Sequence, residues 1–391
     1  MKVLLVHNSY QQPGGEDQVF RSEGALLEEY GHEVLRYTDH NRRLEELNPL
    51  ESAAATLWNR GSYRQVAALI QRERPDILHA HNTFPLISPA VYYAAQAAGV
   101  PVVQTLHNYR FLCPQSDFLR DGSVCEDCLG KTAPWPGVLH ACYRGSRVAS
   151  GGVAAMLTLH RLLGTYARRV DAYIALTEFG RRKFIEGGLP AEKLHVKPNF
   201  VHPDPGTGQG RGGFALYVGR LSPAKGIGTM LSAWEKMGDS VPLRIAGDGP
   251  LDSVVASRTE RLRNVEWLGR RSRAEVLALM RDAAILVFPS EWYEGCPLVI
   301  GEAFASGLPV VASDLGAMAT IIEDGRTGLH FRPRDADDLA DKIGWVFSHP
   351  EEVRAMRGRA RAEFEAKYTA ERNYAQLMKI YRQAERGVSR P

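Results

Sequence analysis

The apolar positions of this chain fall into short runs rich in valine, isoleucine and leucine, separated by longer stretches with the spacing of amphipathic helices. Continuous apolar runs of this kind, each followed by a helical pattern, are typical of parallel strands buried on both faces. We predict strands at Lys2–His7, Asp76–Asn82, Pro101–His107, Ala172–Thr177, Phe214–Gly219, Pro242–Gly247, Val265–Gly269, Ile285–Pro289 and Pro309–Ser313. Strands that alternate with helices predict an α/β fold with doubly wound, Rossmann-like parallel sheets.

The 391 residues exceed what one hydrophobic core usually holds, which predicts two domains that face each other across a cleft. A stretch rich in glycine and proline, 202–213, predicts a flexible linker between them. We therefore expect a first domain over residues 1–201 and a second over 214–369. The last segment, 370–391, carries a helical pattern over Ala370–Glu385 that we expect to cross back to the first domain; packing on its own domain is the alternative.

The overall composition is that of an ordinary globular protein, with 44% apolar and 24% charged residues. A net charge of +3 is too small to indicate nucleic acid as a partner. Apolar runs stay below the roughly 18–20 residues that span a membrane, and the first apolar run is too short for a signal peptide. These features predict a cytoplasmic protein whose five cysteines are reduced thiols or metal ligands.

Two glutamates, Glu294 and Glu302, bracket the point where a loop is predicted to become a helix. Pro297 between them suits the first helical position. Free N–H groups at a helix start attract phosphate, and carboxylates accept hydrogen bonds from sugar hydroxyls. This stretch therefore predicts a nucleotide-sugar site, whose other donor contacts we expect from Gly295, Cys296, Pro297, Leu298 and Val299.

Two cations, Arg220 and Lys225, follow the predicted strand Phe214–Gly219. Arginine offers a planar fork to two phosphate oxygens, and lysine offers a compact charge. A departing nucleoside diphosphate gains negative charge as its bond to the sugar breaks, so such cations act most strongly in the transition state. Two solvated surface cations are the alternative.

Glycine turns follow other predicted strands. Pro13-Gly14-Gly15 allows either a close approach to phosphate or a plain tight turn. Gly249 and the strand that contains Leu268 are candidates for the wall of a base pocket.

Three candidate histidines, His79, His81 and His107, lie on predicted strands of the first domain. His107 ends its strand, where it can donate a hydrogen bond to a sugar hydroxyl or orient the acceptor, although a packed histidine is the common case. His79 and His81 share one face of a strand, but with no acidic residue at ligand spacing a metal pair is the minor interpretation.

Four cysteines lie within an apparent insertion at about 110–145, in the spacing C-x11-C-x2-C-x13-C. Four thiolates can hold a tetrahedral zinc, and a loop-rich insertion with little core would gain stability from one. An iron–sulfur cluster and unligated thiols are the alternatives, with His140 as a substitute ligand. The candidate ligands are Cys113, Cys125, Cys128 and Cys142.

Residues 144–183 carry eight basic side chains against two acidic ones. A solvated helical face explains such a run, and a surface that docks on anionic lipid or an acidic acceptor is the sharper hypothesis. The basic residues are Arg144, Arg147, Arg161, Arg168, Arg169, Arg181, Arg182 and Lys183.

With these motifs together, the chain resembles the retaining glycosyltransferases of family 4, which have the GT-B fold and act in polysaccharide biosynthesis, among other pathways. The resemblance covers nearly the whole chain, and the paired glutamates are its most specific part. It is carried by Pro13-Gly14-Gly15, the Asp76–His81 strand, His107, Lys197-Pro-Asn-Phe200, Gly219-Arg220, Lys225-Gly226, Gly247-Asp-Gly249-Pro250 and Glu294 to Glu302.

The resemblance implies roles for individual residues. Arg220 and Lys225 would bind the donor diphosphate, with a backbone contact from Gly15. Glu302 would hold the ribose hydroxyls, whereas Glu294 and His107 would line the reaction centre. The family's Pro-Asn-Gly before the linker is here Pro-Asn-Phe, so the role of that loop does not carry over. The resemblance implies no catalytic metal and no protein nucleophile.

These inferences predict a hexosyltransferase that moves a sugar from a UDP- or GDP-sugar to a glycan or lipid-linked glycan with retention of configuration. A peripheral position on the inner face of a membrane would suit a lipid-linked acceptor. A nucleotide-sugar epimerase of the same fold and a non-catalytic nucleotide-sugar-binding protein are the alternatives.

Overall fold

A computed structural model describes residues 1–11 and 14–387, so Pro13 of the predicted glycine turn lies outside it. The chain divides into two compact units. The first contains Met1–Phe118, Cys125–Pro198 and the residues from Asn373 onward, and the second contains Leu119–Val124 and Asn199–Arg372.

The strands, in chain order, are β1 (Lys2–Ser9), β2 (Glu33–His40), β3 (Ile77–Asn82), β4 (Val102–Leu106), β5 (Leu119–Arg120), β6 (Ser123–Val124), β7 (Ala172–Ala175), β8 (Leu194–Val196), β9 (Ala215–Val218), β10 (Leu243–Ala246), β11 (Val265–Gly269), β12 (Ile285–Phe288), β13 (Val310–Ser313) and β14 (Gly328–Phe331).

The α-helices are α1 (Gly15–Glu29), α2 (Pro49–Leu57), α3 (Arg60–Glu73), α4 (Ala90–Ala97), α5 (Trp135–Leu139), α6 (Arg147–Leu162), α7 (Thr165–Arg168), α8 (Glu178–Glu186), α9 (Ile227–Met237), α10 (Asp252–Thr259), α11 (Arg273–Asp282), α12 (Leu298–Ala305), α13 (Met318–Ile321), α14 (Ala336–Ser348), α15 (Pro350–Lys367) and α16 (Ala370–Gly387). Short 3₁₀ turns occupy Asn41–Glu45, Ala191–Lys193, Pro223–Lys225 and Gly238–Ser240.

Each unit is built on a six-stranded parallel sheet. The order in the first is β2-β1-β3-β4-β7-β8, and the order in the second is β11-β10-β9-β12-β13-β14. The strand order reverses between β1 and β3 in the first sheet and between β9 and β12 in the second. Ligands of doubly wound sheets bind beyond the carboxyl ends of the strands at such a reversal, so these two positions are where a site is expected.

The strand pattern explains the core of the second unit. Successive side chains of a strand point to opposite faces of the sheet. Tyr217 accordingly packs with Trp234 in one buried cluster, and its neighbour Leu216 packs with Phe304 in a second cluster on the other face. Helices cover both faces, which confirms the doubly wound architecture predicted from the apolar runs.

All nine predicted strands are present, but the apolar pattern missed the two-residue strands β5 and β6 and three strands of the parallel sheets, β2, β8 and β14. These three strands lie at the edges of their sheets. The burial of β2 is mixed along its length, whereas every residue of β3 and β4 is buried. An edge strand needs no continuous apolar run, so the pattern that identifies central strands does not reveal it.

The segment 202–213, predicted to be a flexible linker, is held to the second unit. The N–H group of Gly208 donates to Ser306 O at 2.9 Å, and those of Gly210 and Gly212 donate to carbonyls at the end of α11 at 3.0 and 2.8 Å. A Cβ at Gly208 would lie 2.0 Å from Arg281 O. The glycines here permit close packing of the backbone, and the expectation of a free linker is wrong.

The helix predicted at Ala370–Glu385 is α16, most of which is grouped with the first unit. Among the described residues, helices of sufficient length lack the apolar stretch that a bilayer crossing requires.

Candidate functional site

The carboxylate of Glu294 is the centre of a polar cluster just beyond the carboxyl end of β12. One oxygen, Oε1, accepts hydrogen bonds from Ser290 Oγ at 2.6 Å, Trp292 Nε1 at 2.6 Å and Lys225 Nζ at 2.7 Å. The residue is 7% exposed. The structure therefore brings together Lys225 and Glu294, two of the residues predicted to act on the donor, and fixes the orientation of both side chains.

The loop after β9 places Lys225 beside Glu294 because Gly226 allows the backbone of this loop to pack directly on the backbone of Pro289. Gly226 has φ 70°, and a Cβ there would lie 1.9 Å from Pro289 O, next to the end of β12. The ammonium of Lys225 also lies 5.6 Å from the ring centroid of Phe288 and 5.5 Å from that of Trp292. Cation–π contacts at this distance add to the ion pair.

Arg220 lies on the same loop and is exposed. Its backbone carbonyl accepts a hydrogen bond from the Tyr217 hydroxyl at 3.0 Å, which anchors the turn while the guanidinium points away from the core. The turn packs tightly on the end of β10, where a Cβ at Gly247 would lie 1.9 Å from Gly219 O.

The helix α12 begins next to the cluster, as predicted, but one residue later than expected. Pro297 is the N-cap rather than the first helical residue, and none of the described side chains caps this helix. The amides of Leu298 and Val299 thus lie in an uncapped first turn, where the helix dipole favours an anion. Asn199 Nδ2 donates to Cys296 O at 2.9 Å, and Cys296 packs against the core.

Glu302 is the second predicted acid, and its partner is a residue that the sequence did not reveal. Arg273 Nε donates to Glu302 Oε1 at 3.0 Å, and the Glu302 side chain is 12% exposed. Burial raises the pKa of Glu302, although Arg273 opposes the shift. Arg273 is the first residue of α11, directly after the Ser272 N-cap. Its contact with Glu302 on α12 depends on the fold and cannot be predicted from the spacing of the two residues in the sequence.

Two further predicted donor contacts have local structural roles. Gly249 N donates to Asp252 Oδ1 at 2.6 Å, and a Cβ at Gly249 would lie 2.5 Å from Leu221 O. Leu268 lies half-buried in β11. In the first unit, Gly14 N donates to Asp17 Oδ2 at 2.8 Å, which occupies the amide expected to approach a phosphate, and Gly15 opens α1.

His107 lies directly after β4 in the first unit, where it is half-buried and stacks on the buried imidazole of His81. His81 Nδ1 and His107 Nε2 are 3.0 Å apart, and their rings stack at 5.1 Å. Burial lowers the pKa of His81 to about 3 and that of His107 well below its usual value. Both rings are therefore neutral near pH 7.

The acid that seemed absent beside His79 and His81 comes from α1. Glu23 Oε1 lies 3.2 Å from His79 Nδ1 and 3.2 Å from His81 Nε2. The three ligand atoms lie within 4.8 Å of one another and all three residues are buried. The other oxygen, Oε2, accepts from Lys197 Nζ at 2.7 Å. Burial raises the pKa of Glu23, but Lys197 and the histidines outweigh it and hold the pKa well below its usual value.

A second acid missed by the sequence lies at the start of α1. Glu16 accepts from Asn82 Nδ2 at 3.0 Å and from Asn108 Nδ2 at 3.1 Å. Burial raises the pKa of Glu16 to about 7, and hydrogen bonds from Tyr10 and Asn108 oppose the shift. Asn108 follows His107 in the chain, so a titratable acid lies beside the candidate histidine.

Each of the two units matches a known protein family. Residues 207–363 match the family described as glycosyl transferases group 1, and residues 14–199 match the glycosyl transferase 4-like domain. The chain is a glycosyltransferase with the GT-B fold.

Individual relatives agree with this assignment. The glycosyltransferase is 27% identical to a glycogen synthase of Mycobacterium tuberculosis, covering 81% of this chain and 71% of the relative. It is 27% identical to the alpha-D-kanosaminyltransferase of Streptomyces kanamyceticus, covering 83% of each. The structure of Anabaena HepE in complex with UDP-glucose superposes with a TM-score of 0.65 at 20% identity, covering 100% of this chain and 99% of HepE.

Proposed function

We propose that this glycosyltransferase moves a hexose from a UDP- or GDP-sugar to a glycan or lipid-linked glycan acceptor, with retention of the anomeric configuration, in the synthesis of a cell-surface polysaccharide. The observation that carries the proposal is the Lys225–Glu294 pair beside the uncapped start of α12. A cation and free amides suit a diphosphate, and a fixed carboxylate suits sugar hydroxyls. The UDP-glucose bound by HepE supports the donor class.

The proposed reaction begins with cleavage of the bond between the anomeric carbon and the phosphate oxygen, which leaves the extra charge on the diphosphate. Lys225 and Arg220 stabilise that charge, and Glu294 orients the sugar. The acceptor hydroxyl bonds to the anomeric carbon on the face that the phosphate leaves, and its proton passes to the departing phosphate. The step therefore needs no protein nucleophile and no catalytic metal.

In this proposal, His107 accepts a hydrogen bond from a sugar hydroxyl, whereas the sequence analysis predicted that it would donate one. The charge of Glu23 favours the His81 tautomer with its proton on Nε2, so that His81 Nδ1 accepts the proton on His107 Nε2 at 3.0 Å. His107 is left with an unprotonated Nδ1, which can accept a hydrogen bond from a sugar hydroxyl.

A panel of UDP, GDP and their sugars, scored by thermal shift, tests the donor assignment. A ligand that binds only the folded state raises the melting temperature by mass action. Glu302→Ala is expected to weaken binding of the selected nucleotide sugar by about 10-fold, since it removes hydrogen bonds worth about 1.5 kcal/mol to the ribose. Glu351→Ala, at an exposed ion pair on α15, serves as the control and should leave binding unchanged.

Two outcomes of that panel would contradict the proposal. Isomerisation of the donor in the absence of acceptor would indicate an epimerase. Tight donor binding without transfer to any glycan acceptor would indicate a non-catalytic binding protein.

We also propose that α5 and α6 rest on the cytoplasmic face of an anionic membrane. Val148 is 81% exposed, Leu162 71% and Trp135 58%. Arg144 and Arg147 beside them are exposed. Apolar side chains flanked by exposed arginines suit the interface of an anionic bilayer. Other members of the predicted basic run have internal partners; Arg161, for example, donates to Phe111 O at 2.7 Å.

Liposome flotation tests this surface. The protein is expected to float with vesicles that contain anionic lipid at low salt, and the double variant Val148→Ser/Leu162→Ser should remain in the dense fraction. Val254→Ser, at an apolar residue of the second unit that is 44% exposed, is the matched control. Equal flotation of all three proteins, or flotation of none, would contradict the membrane contact.

A further inference from the structure

The cysteine-bearing insertion has an unusual backbone for a segment with so little secondary structure. It contains a hairpin of two-residue strands, β5 and β6, and the five-residue helix α5. Residues other than glycine adopt positive φ at Ser116 (78°), Phe118 (52°), Asp121 (49°) and Ala141 (50°). Such conformations cost of order 1 kcal/mol each and persist only where the surroundings impose them.

The backbone around each cysteine is fixed by local hydrogen bonds. The N–H groups of Cys113, Cys125 and Cys142 donate to Tyr109 O at 2.9 Å, to Phe118 O at 2.7 Å and to Gly137 O at 2.9 Å, respectively. Cys128 Sγ lies 3.8 Å from Pro134 O. Cys128 and Cys142 lie in turns, and Cys125 directly follows the β5–β6 hairpin, so these cysteines lie at places where a metal-binding loop presents its ligands.

Two contacts tie these turns to one another. Arg161 donates to Phe111 O at 2.7 Å and to Thr132 O at 3.1 Å, which joins the stretch before Cys113 to the stretch after Cys128. A Cβ at Gly137 would lie 2.7 Å from Pro114 Cγ, so α5 packs directly on the residue after Cys113. The stretch around Cys113 thus lies against the stretch between Cys128 and Cys142.

The loops that carry Cys113, Cys128 and Cys142 meet at Gly137. Cys128 Sγ and Gly137 N both lie against Pro134 O, at 3.8 and 3.2 Å, and Cys142 N donates to Gly137 O at 2.9 Å. The other side of Gly137 packs on Pro114, the residue after Cys113, and Cys125 precedes Cys128 by three residues. Cys113 and Cys128 are 7% and 6% exposed. Four thiolates close together repel one another, and a divalent cation removes that repulsion.

We propose that Cys113, Cys125, Cys128 and Cys142 bind one structural zinc ion. Zinc prefers a tetrahedral set of thiolates and closes such sites without an open position for chemistry. Within the described residues, the set of ligand atoms already within 4.8 Å of one another is that of Glu23, His79 and His81. The four cysteine sulfurs do not all lie within that distance, so they would move closer together on binding the ion.

The Glu23, His79 and His81 set is a weaker candidate for a metal despite its compactness. The ammonium of Lys197 lies 2.7 Å from Glu23 and already neutralises the carboxylate. His79 Nδ1 also contacts the Tyr381 hydroxyl at 2.8 Å. A divalent ion here would be buried beside a fixed positive charge, which electrostatics disfavours.

Elemental analysis of the full-length protein, purified without added metal or chelator, tests the proposal. We expect about one zinc per chain in the wild type and a loss of at least 10-fold in Cys128→Ser. Cys296→Ser changes the one cysteine outside the insertion and should keep its zinc. Replacement by Co²⁺ should give the absorption of a tetrahedral thiolate site.

A chelator experiment on the wild type covers the case in which Cys128→Ser does not fold. Removal of the metal should expose the 110–145 segment to protease and make four more thiols reactive to alkylation, and added Zn²⁺ should reverse both changes. Iron with sulfide in the purified protein, or full alkylation of the native protein with no metal present, would overturn the assignment. None of these measurements depends on transferase activity.

Discussion

Replacement of Lys225 by alanine is expected to reduce kcat/KM for the nucleotide-sugar donor by about 100- to 1000-fold. Loss of one preorganised group that stabilises developing charge costs about 2.7–4 kcal/mol in other active sites. Lys225 is held by Glu294 at 2.7 Å and by the faces of two aromatic rings, so little reorganisation precedes its contact with the diphosphate. Steady-state kinetics with the donor selected by thermal shift would measure the effect.

Glu294→Gln separates the role of the sugar contact from that of the diphosphate contact. Glutamine can accept from Ser290 and Trp292 but removes the charge opposite Lys225. We expect it to lower kcat while leaving the donor dissociation constant within about threefold, since the cation that binds the diphosphate remains. Lys236→Ala, at an exposed ion pair with Asp337, controls for loss of a lysine. Unchanged kcat/KM in both Lys225→Ala and Glu294→Gln would contradict the assigned site.

The central strands and the donor loop could be predicted because they depend on local sequence. A buried parallel strand appears in the sequence as an apolar run. The loop at Glu294 contains Gly295 and Pro297, which indicate a turn followed by a helix start. The fold then adds the contact between Lys225 and Glu294, 69 positions apart. The sequence placed both residues after strand ends of the second domain, but it did not predict that they would form an ion pair.

Residues that act through a partner on a distant element could not be predicted. Glu23 lies in the middle of α1, where a charged residue reads as a solvated helix face, yet it is fully buried. Its partner Lys197 lies 174 positions away. Arg273 and Glu16 were missed for the same reason, since each opens a helix, where a charged residue is ordinary. Only the packed structure shows that these charges are buried or paired.

Lys197→Met is expected to lower the free energy of unfolding of the protein by about 3–5 kcal/mol, the cost of leaving one partner of a buried ion pair without the other. Lys197 is 1% exposed and Glu23 is fully buried. The remaining partner of the ammonium, Asn373 Oδ1 at 3.2 Å, carries no charge. Urea denaturation followed by fluorescence would measure the loss, with Lys236→Met at the exposed pair as the matched control, expected to change stability by less than about 1 kcal/mol.

The double variant Glu23→Leu/Lys197→Met decides whether the effect comes from the unpaired charge. It removes both ions from the interior and replaces them with apolar groups, so it should be more stable than Lys197→Met alone by about 2 kcal/mol or more. Stability in the double variant equal to or lower than that of Lys197→Met would show that packing, not charge, dominates at this position. The same pair of variants tests the hydrogen-bond arrangement proposed for His107. The double variant removes the Glu23 carboxylate, which sets the tautomer of His81. It should therefore recover stability without recovering full transferase activity.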